Sequence, residues 1–291
     1  MKKSIVLWII AFLITVLFIA YQRITGPTYP ISSKITINNN EIKYKLYRSH
    51  GGNSDHEIQI NVPDKSISGT VFWKRYKTKD EFKRVDLLRE GDFLIADLPN
   101  QPPAGKLEYR VYLKHNSEIY YLNNANSVVI RFKGDVPTWV LIPHIFTIFM
   151  AMFLSTRTGL QIFNKNKNLK KYVWSTILFL FVGGFIMGPL TQWYAFGAFW
   201  TGFPFGHDLT DNKTLIAMLG WLIALVMIRK SAKPERWTVF AAILLIAAYL
   251  IPHSVLGSEL DYNKLDKEKH QVQKIEDQNI QTKNKLKPNS K

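Results

Sequence analysis

The sequence of 291 residues contains no cysteine, which excludes a fold held together by disulfide bonds. It also contains no phosphate-binding loop, no Gly-x-Ser-x-Gly nucleophile motif and no pair of histidines spaced as His-x-x-x-His. No common catalytic class is therefore indicated by a short motif. Apolar residues, in contrast, are plentiful. The chain is 47% hydrophobic and 13% aromatic, which excludes intrinsic disorder of the whole protein.

The average charge and hydropathy describe no single part of the chain. The formal net charge is +16 and the mean hydropathy is −0.06, which together would suit a basic soluble protein. The apolar residues, however, are concentrated in blocks, and long uncharged blocks are typical of transmembrane helices. The blocks cover residues 4–22, 137–155, 172–191, 214–228 and 237–253. We therefore predict an α+β membrane protein with about five transmembrane helices, the last four forming a bundle over residues 137–258.

The lysine and arginine residues between the blocks predict the orientation, because short cytoplasmic connections carry an excess of positive charge. Lys2 and Lys3 precede the first block, and the connections between the second and third blocks and between the fourth and fifth blocks are also basic. The loop of residues 192–213 carries one lysine and two aspartates. We expect an integral protein of the bacterial inner (plasma) membrane, with a cytoplasmic N-terminus. Residues 23–136, this loop and the C-terminal tail then lie outside.

The N-terminal segment of residues 1–22, which contains the first block, has two interpretations. Lys2 and Lys3 followed by an apolar stretch also form the beginning of a secretory signal peptide. No Ala-x-Ala cleavage site follows, because residues 18–23 read Phe-Ile-Ala-Tyr-Gln-Arg. An uncleaved signal anchor, which is a transmembrane helix, is the preferred interpretation. Either one leaves the next segment outside the membrane.

Residues 34–133 alternate apolar and polar side chains with a period of two, which is typical of β-strands with one buried face. Residues 58–62 form one such run and residues 109–113 form another. Turns rich in glycine, proline and asparagine separate the runs. About seven short strands in about a hundred residues predict an antiparallel β-sandwich.

One stretch of this segment resembles a known type of domain. Leu-Pro at residues 98–99, followed by Leu-Glu-Tyr-Arg-Val at residues 107–111, resembles the tyrosine corner of fibronectin type III and immunoglobulin-like domains. The resemblance implies a sandwich in which the Tyr109 hydroxyl bonds to the upstream backbone. The connection before Tyr109 is longer than in those domains, which leaves the strand of Trp73 unassigned. Such a domain most often binds something, so another envelope protein is an expected partner.

The remaining polar regions give weaker functional signals. Residues 262–291 are rich in lysine, glutamine, asparagine and acidic residues, which predicts a disordered or loosely helical tail. Because its basic residues are interleaved with acidic ones, we expect no nucleic-acid partner. His50, His56 and His115 lie in or beside the loops of the sandwich, where we expect solvated side chains.

Polar residues of the membrane part gather at its outer level once the orientation is assigned. These candidate ligands are His144, His207, His253, Asp208, Asp211 and Glu259. Ionisable groups at membrane depth are unfavourable unless they are paired or liganded, so they are functional candidates. Imidazole and carboxylate groups suit zinc, copper or iron, and a pair of histidines would also suit a haem iron. One hypothesis is therefore a transition-metal or haem site at the outer face.

The same residues also have a purely structural interpretation. His144 and His253 each follow a proline near a helix end, where an imidazole can bond to freed carbonyl groups or to water. Asp211 and Thr210 can accept hydrogen bonds from the first N–H groups of the fourth helix, and Asp208 can cap an earlier turn. The loop of residues 192–213 is rich in aromatic residues, glycine and proline. We expect it to contain a non-helical segment that covers the site.

Two function classes follow from these features. In the first, a membrane-embedded site acts in hydrolysis, redox chemistry or metal handling, and in the hydrolytic case the metal lowers the pKa of a bound water. In the alternative, the protein is a non-enzymatic envelope scaffold or binding protein whose sandwich engages a partner. A transporter is disfavoured because the sequence has no detectable internal repeat.

Overall fold

The computed structural model describes residues 2–164, 168–251 and 259–285. The helices are α1 (Lys2–Thr25), α2 (Thr138–Gly159), α3 (Leu169–Phe181), α4 (Gly188–Phe196), α5 (Leu209–Lys230), α6 (Pro234–Leu250) and α7 (Tyr262–Lys285). The strands are β1 (Ile31–Ile37), β2 (Asn40–Leu46), β3 (Ser49–Gly51), β4 (His56–Asn61), β5 (Ile67–Arg75), β6 (Lys83–Asp86), β7 (Leu88–Glu90), β8 (Phe93–Leu98), β9 (Lys106–His115), β10 (Glu118–Tyr121) and β11 (Val128–Lys133). A 3₁₀ turn, Leu160–Phe163, follows α2, and a π-helical turn, Val182–Met187, joins α3 to α4.

The strands form three sheets around one core. β1 pairs with β2, the second sheet has the order β4-β8-β7, and the third has the order β3-β11-β9-β5-β6 with β10 also on β9. The pairing of β3 with β11 is parallel and the other described pairs are antiparallel. Buried apolar residues from all three sheets form a single cluster. This arrangement is compatible with the predicted β-sandwich, although it contains more strands than expected because short strands such as β3 and β7 show no readable alternation.

Burial along the strands follows the period of two that the sequence shows. Ile58 and Ile60 of β4 are 4% and 1% exposed, and their neighbours on the strand face outward. Successive side chains of a strand point to opposite faces, so one face of each strand supplies the core. Trp73, which the sequence left unassigned, lies in β5 and packs against the same core.

Tyr109 bonds to the backbone through its hydroxyl, as the resemblance implied, but not within a local corner. The side chain is fully buried and its hydroxyl donates to the carbonyl oxygen of Tyr47 at 2.8 Å. Tyr47 lies between β2 and β3, so the hydrogen bond joins two distant segments of the chain. Burial raises the pKa of the Tyr109 hydroxyl, which therefore remains protonated.

His56 is buried, although a solvated side chain was expected. It occupies the first position of β4 on the face that also carries Ile58, and it is 6% exposed. Its ring lies 5.7 Å from the ring of Tyr47 and 5.1 Å from that of His50, with the two histidine Nδ1 atoms 3.3 Å apart. Burial, together with the neighbouring His50, lowers the pKa of His56 to about 4.

We expect the sandwich to lose stability as the pH falls from 6.5 to about 4. Between these pH values, His56 is protonated in the unfolded chain and neutral in the folded chain. A lower pH therefore favours unfolding until His56 is protonated in the folded chain too. The loss should be about 1–3 kcal/mol after allowance for partial solvent screening. Thermal unfolding across this pH range measures it. His56→Gln should flatten the profile and the matched His270→Gln in α7 should not; an unchanged slope in His56→Gln contradicts the assignment.

Among the residues that the structure describes, four helical segments are long and apolar enough to cross a membrane, where the sequence predicted about five. They are Lys3–Thr25, Thr138–Phe163, Leu169–Phe196 and Leu209–Lys230. The fifth predicted block corresponds to α6, which is shorter at 17 residues. The fourth block is longer than predicted, because α5 begins at Leu209 rather than near residue 214.

The helices pack closely around a second apolar core. Trp221 of α5 is fully buried there, among residues of α2, α3 and α6. Glycines in the π-helical turn allow the close approach of neighbouring helices. A Cβ atom on Gly184 would lie 2.6 Å from the Thr214 side chain, and one on Gly183 would lie 2.8 Å from Ile148. The small residues therefore bring α2, the turn and α5 together at one level.

The C-terminal segment docks on the sandwich. Tyr262 is 4% exposed, and its hydroxyl lies 3.0 Å from both the backbone N and O of Lys106. The Leu260 N–H donates to the Ala104 carbonyl oxygen, and Asp266 pairs with Arg75 at 2.8 Å. α7 is helical over Tyr262–Lys285, where the sequence predicted disorder or a loose helix. The anchoring contacts come from residues far away in the sequence, which is why composition did not indicate them.

Candidate functional site

A cavity of about 170 Å³ lies where the sandwich meets the helices. Its lining includes Arg131 from β11, His144 from α2, Gln192 from α4, and Asp208 and Lys213 around the start of α5. At about 30 Å³ of liquid volume per water molecule, the space corresponds to roughly six waters. The cavity lies at the level at which the sequence placed its candidate ligands.

His144 is held by the π-helical turn. Its Nδ1 lies 3.0 Å from the carbonyl oxygen of Gly183, and because a carbonyl only accepts, Nδ1 carries the proton. Nε2 of the neutral ring is then an acceptor. A π-helical turn inside a helix is frequently found at functional sites. A histidine whose Nδ1–H donates to a backbone carbonyl is also oriented as metal-ligating histidines are.

Lys213 brings a buried ammonium group to the cavity. The residue is 7% exposed, and its Nζ donates to the carbonyl oxygen of Ile251 at 2.5 Å. In the part of the chain that the structure describes, this carbonyl is its one hydrogen-bond acceptor. An ammonium group has three N–H donors, and buried donors in folded proteins are normally bonded. Lys213 therefore offers hydrogen bonds to a group in the cavity.

Arg131 brings a second buried cation, from the sandwich side. The residue is 7% exposed, and its guanidinium carbon lies 3.9 Å from the centroid of the Phe196 ring, a cation–π contact. Burial lowers the pKa of Arg131, while the charges of Asp208 and Glu259 act to raise it. An arginine remains protonated in spite of such a shift. The cavity therefore has one permanent cation from the sandwich and an ammonium group from the helices.

Asp211 holds the non-helical loop of residues 197–208. Its Oδ2 accepts from the backbone N–H groups of Thr201 and Gly202 at 2.6 and 3.0 Å, and from the Thr201 hydroxyl at 3.3 Å. In the amide orientation of Gln192 that satisfies both neighbours, this side chain donates to the carboxylate, and the Thr201 hydroxyl donates to Gln192 instead of to Asp211. These contacts occupy the carboxylate with structural hydrogen bonds.

Asp208 is the N-cap of α5. Its side chain accepts from the backbone N–H of Thr210 at 2.7 Å, so this helix is capped by Asp208 and not by Asp211 or Thr210, the residues that the sequence favoured. The segment between α4 and this cap is non-helical, as the aromatic, glycine and proline residues predicted. Asp208 therefore lines the cavity at the start of α5, whereas residues 197–207 are not among its described lining residues.

The other candidate ligands do not line the cavity in the described structure. His207 is exposed in the loop. Glu259 faces the sandwich, where Lys77 and Lys106 each lie 3.1 Å from its Oε2. Although burial acts to raise it, the hydrogen bonds from these lysines hold the pKa of Glu259 below its ordinary value. His253 lies outside the described residues.

The metal or haem hypothesis therefore stays a prediction. Within residues 2–164, 168–251 and 259–285, no three histidine, aspartate or glutamate side chains are grouped so that they could hold a metal ion. The size of the cavity disfavours haem at this position, because pockets for ligands of drug size or larger span about 300–1,000 Å³.

Arg131 and Lys213 are the site residues that sequence reasoning missed. Lys213 directly precedes an apolar block, and the rule that ionisable groups at membrane depth are functional candidates would have found it. Arg131 lies between the apolar residues Ile130 and Phe132 on an ordinary strand, and no local pattern distinguishes it. Its burial depends on Phe196, which lies 65 residues further along the chain.

Comparisons with known proteins were made for the whole chain. No protein-family model matches it. No curated protein matches it significantly. The likeness to fibronectin type III and immunoglobulin-like domains therefore rests on the short tyrosine motif, and the described architecture is a set of β-sheets compatible with a sandwich, joined to apolar helices.

Proposed function

We propose that the protein is an integral membrane protein that binds a small anionic ligand in the cavity between its sandwich and its helices. The observation that carries this proposal is the buried ammonium group of Lys213, which lines the same cavity as the buried guanidinium of Arg131. A carboxylate or phosphate group accepts hydrogen bonds from the Lys213 ammonium group and carries the charge opposite to that of both cations. The cavity volume of about 170 Å³ supports a small ligand, since an apolar cavity of about 150 Å³ holds one benzene molecule.

The docked tail supports a topology of five spans rather than four. α1 places the N-terminus and the sandwich on opposite sides of the membrane. After α1, each further pair of crossings brings the chain back to the side of the sandwich. Tyr262 contacts the sandwich, and this requires α6 to cross as well as α2, α3–α4 and α5. At 1.5 Å per residue the 17 residues of α6 span about 26 Å, close to the hydrocarbon thickness of a bilayer. The basic connections then face the cytoplasm, and the sandwich and tail face outward.

The lack of native cysteine allows a direct test of this topology in intact cells. We expect a membrane-impermeant maleimide to label Ser117→Cys in the β9–β10 turn and Gln271→Cys in α7. Ala232→Cys, between α5 and α6, should react only after lysis. All three positions are exposed, so accessibility within the protein does not limit the reaction. Protection of Gln271→Cys together with labelling of Ser117→Cys would contradict five spans.

We expect α1 to be retained in the mature protein. Its Trp8 ring lies 5.1 Å from the Phe153 ring, and 5.1 Å from the guanidinium carbon of Arg157. Arg157 is fully buried and also bonds to Ser4 of α1, so removal of α1 would expose this contact surface. The intact mass of protein purified from membranes decides the question. A mass that corresponds to a chain without α1 contradicts an anchor.

The ligand proposal is tested by thermal shift on the detergent-purified full chain with phosphate or acetate. A ligand at about 100 times its Kd stabilises a folded protein by roughly 2.7 kcal/mol, which is readily measured as a rise in Tm. Lys213→Met should weaken binding at least about tenfold, because it removes a charge-assisted donor. The matched Lys230→Met, at the other end of α5, should bind as the unmodified protein does. No shift with either anion, or an equal shift in Lys213→Met, overturns the proposal.

A second candidate function is the metal site in hydrolysis, redox chemistry or metal handling. The orientation of His144 by Gly183 favours it, because a proton on Nδ1 leaves Nε2 with the lone pair that binds a metal. Asp208 lies in the same cavity. Elemental analysis of the purified protein and of His144→Ala tests this candidate. A stoichiometric metal that is lost in His144→Ala supports it, and its absence from the unmodified protein contradicts it.

A further inference from the structure

The outward face of the six-stranded sheet carries a groove of about 480 Å³ that shares no lining residue with the cavity. Its centre is a row across three strands, in which Phe72 of β5 pairs with Arg84 of β6 on one side and with Arg110 of β9 on the other. Val71 and Val111, the next residues along two of these strands, are buried in the core. Because side chains alternate between faces, the aromatic ring and both arginines are on the outer face.

A second row beside the first adds more aromatic surface. Tyr112 of β9 pairs with Tyr121 of β10, and their ring centroids are 4.9 Å apart. Tyr112 also contacts Phe72 at 5.3 Å, so the rings form a continuous floor. Tyr121 and Ile119 are 49% and 55% exposed. Tyrosine, phenylalanine and arginine are the residues that protein interfaces favour over the rest of the surface.

Arg110 is held in position by contacts that leave its binding edge free. Its Nε donates to the Ser127 hydroxyl at 2.8 Å, and its guanidinium carbon lies 4.8 Å from the centroid of the Phe82 ring. Among the residues that the structure describes, Ser127 is its one hydrogen-bond partner. The two terminal guanidinium nitrogens, which can bind both oxygens of a carboxylate, therefore remain available to a ligand. Arg110 therefore presents an ordered anion receptor at the edge of the aromatic floor.

The groove is basic as well as aromatic. Arg84, Arg110 and Lys114 line it, and no carboxylate is among its described lining residues. Arg84 is partly neutralised by Asp86, at 2.9 Å, whereas no described carboxylate pairs with Arg110 or Lys114. A complementary partner therefore carries negative charge as well as apolar groups that can cover Ile119 and the rings.

We propose that this groove binds an acidic segment of a partner protein in which carboxylate side chains alternate with apolar ones. Such a peptide supplies both kinds of group, and the carboxylates pair with Arg110 and Lys114 while the apolar side chains lie on the tyrosines and Phe72. An anionic polymer such as polyphosphate supplies charge alone and leaves the apolar floor exposed. The observations therefore favour a peptide over a polyanion.

The test is a fluorescence-anisotropy titration of the detergent-purified full chain with a fluorescein-labelled hexapeptide of alternating glutamate and phenylalanine. We expect saturable binding, and a Kd raised at least about tenfold by Arg110→Gln, because that change removes a charge-assisted pair. Lys114→Gln, at an exposed position that tolerates substitution, should raise the Kd about threefold. Lys43→Gln, on β2 of another sheet, is the matched control and should leave the Kd unchanged.

Two further titrations decide between the possible partners. The corresponding glutamine–phenylalanine peptide should bind at least about tenfold more weakly, because it lacks the carboxylates. Polyphosphate of equal charge should displace the labelled peptide poorly. Equal binding of the uncharged peptide, displacement by polyphosphate at the same concentration as by unlabelled peptide, or unchanged binding in both Arg110→Gln and Lys114→Gln overturns the proposal.

Discussion

Replacement of Asp211 with alanine is expected to lower the free energy of unfolding by about 3–5 kcal/mol, an unusually large effect for one polar residue. The change leaves the backbone N–H groups of Thr201 and Gly202 without their acceptor in a buried position. Each unsatisfied buried donor destabilises a fold by about 1–3 kcal/mol. The loop of residues 197–208 should then detach from α5.

The asparagine variant separates the role of the acceptor atom of Asp211 from the role of its charge. One oxygen, Oδ2, accepts both backbone hydrogen bonds from Thr201 and Gly202, and the amide oxygen of Asp211→Asn can occupy its place. We therefore expect Asp211→Asn to lose only about 1 kcal/mol. Chemical unfolding in detergent, followed by tryptophan fluorescence, measures both variants. Equal destabilisation by alanine and asparagine would show that the charge, and not the acceptor atom, holds the loop.

Replacement of Trp221 with alanine should destabilise the helix bundle by about 3–5 kcal/mol. The side chain is fully buried where α5 meets α2, α3 and α6, so its removal leaves a cavity that small neighbours such as Ala224 and Ala241 cannot fill. The same unfolding assay measures the loss. Ile223→Ala is the matched control, because Ile223 lies on the outer face of the same helix and is 46% exposed.

Trp221→Phe should be much milder than the alanine variant. Within the described residues, the Trp221 indole N–H has no hydrogen-bond partner, so the phenylalanine variant removes a buried unsatisfied donor while it keeps most of the ring. We expect a loss below about 1.5 kcal/mol. A phenylalanine variant as unstable as the alanine variant would mean that the indole nitrogen has an essential partner.

Much of the secondary structure could be predicted because it depends on local patterns. Alternation over residues 58–62 and 109–113 indicated β4 and β9, and the apolar blocks indicated every helix from α1 to α6. The membrane orientation predicted from the basic connections placed His144, Asp208 and Asp211 at one level. All three line the cavity. Among the described residues, the number of clearly spanning helices differs because α6 is short, and the number of strands is larger than predicted.

The rest of the site depends on contacts between distant segments, which a local pattern does not contain. Arg131 is buried because Phe196 lies over it, and Lys213 faces the cavity because the end of α6 supplies a carbonyl. The π-helical turn that orients His144 arises from packing around Gly183 rather than from a turn signal. For the same reason His56 was expected in solvent, although its place on the inner face of β4 buries it.

The length of α6 has a consequence for the choice of lipid. A helix of about 26 Å is about 4 Å shorter than a typical hydrocarbon layer, while the 22 residues of α5 match that layer without strain. In the proposed five-span form, the bilayer beside α6 thins to match this length, at a fraction of a kcal/mol per Å of mismatch. Such a mismatch favours short-chain lipids next to α6. In five-span form, the protein should therefore be more stable in thin bilayers than in thick ones.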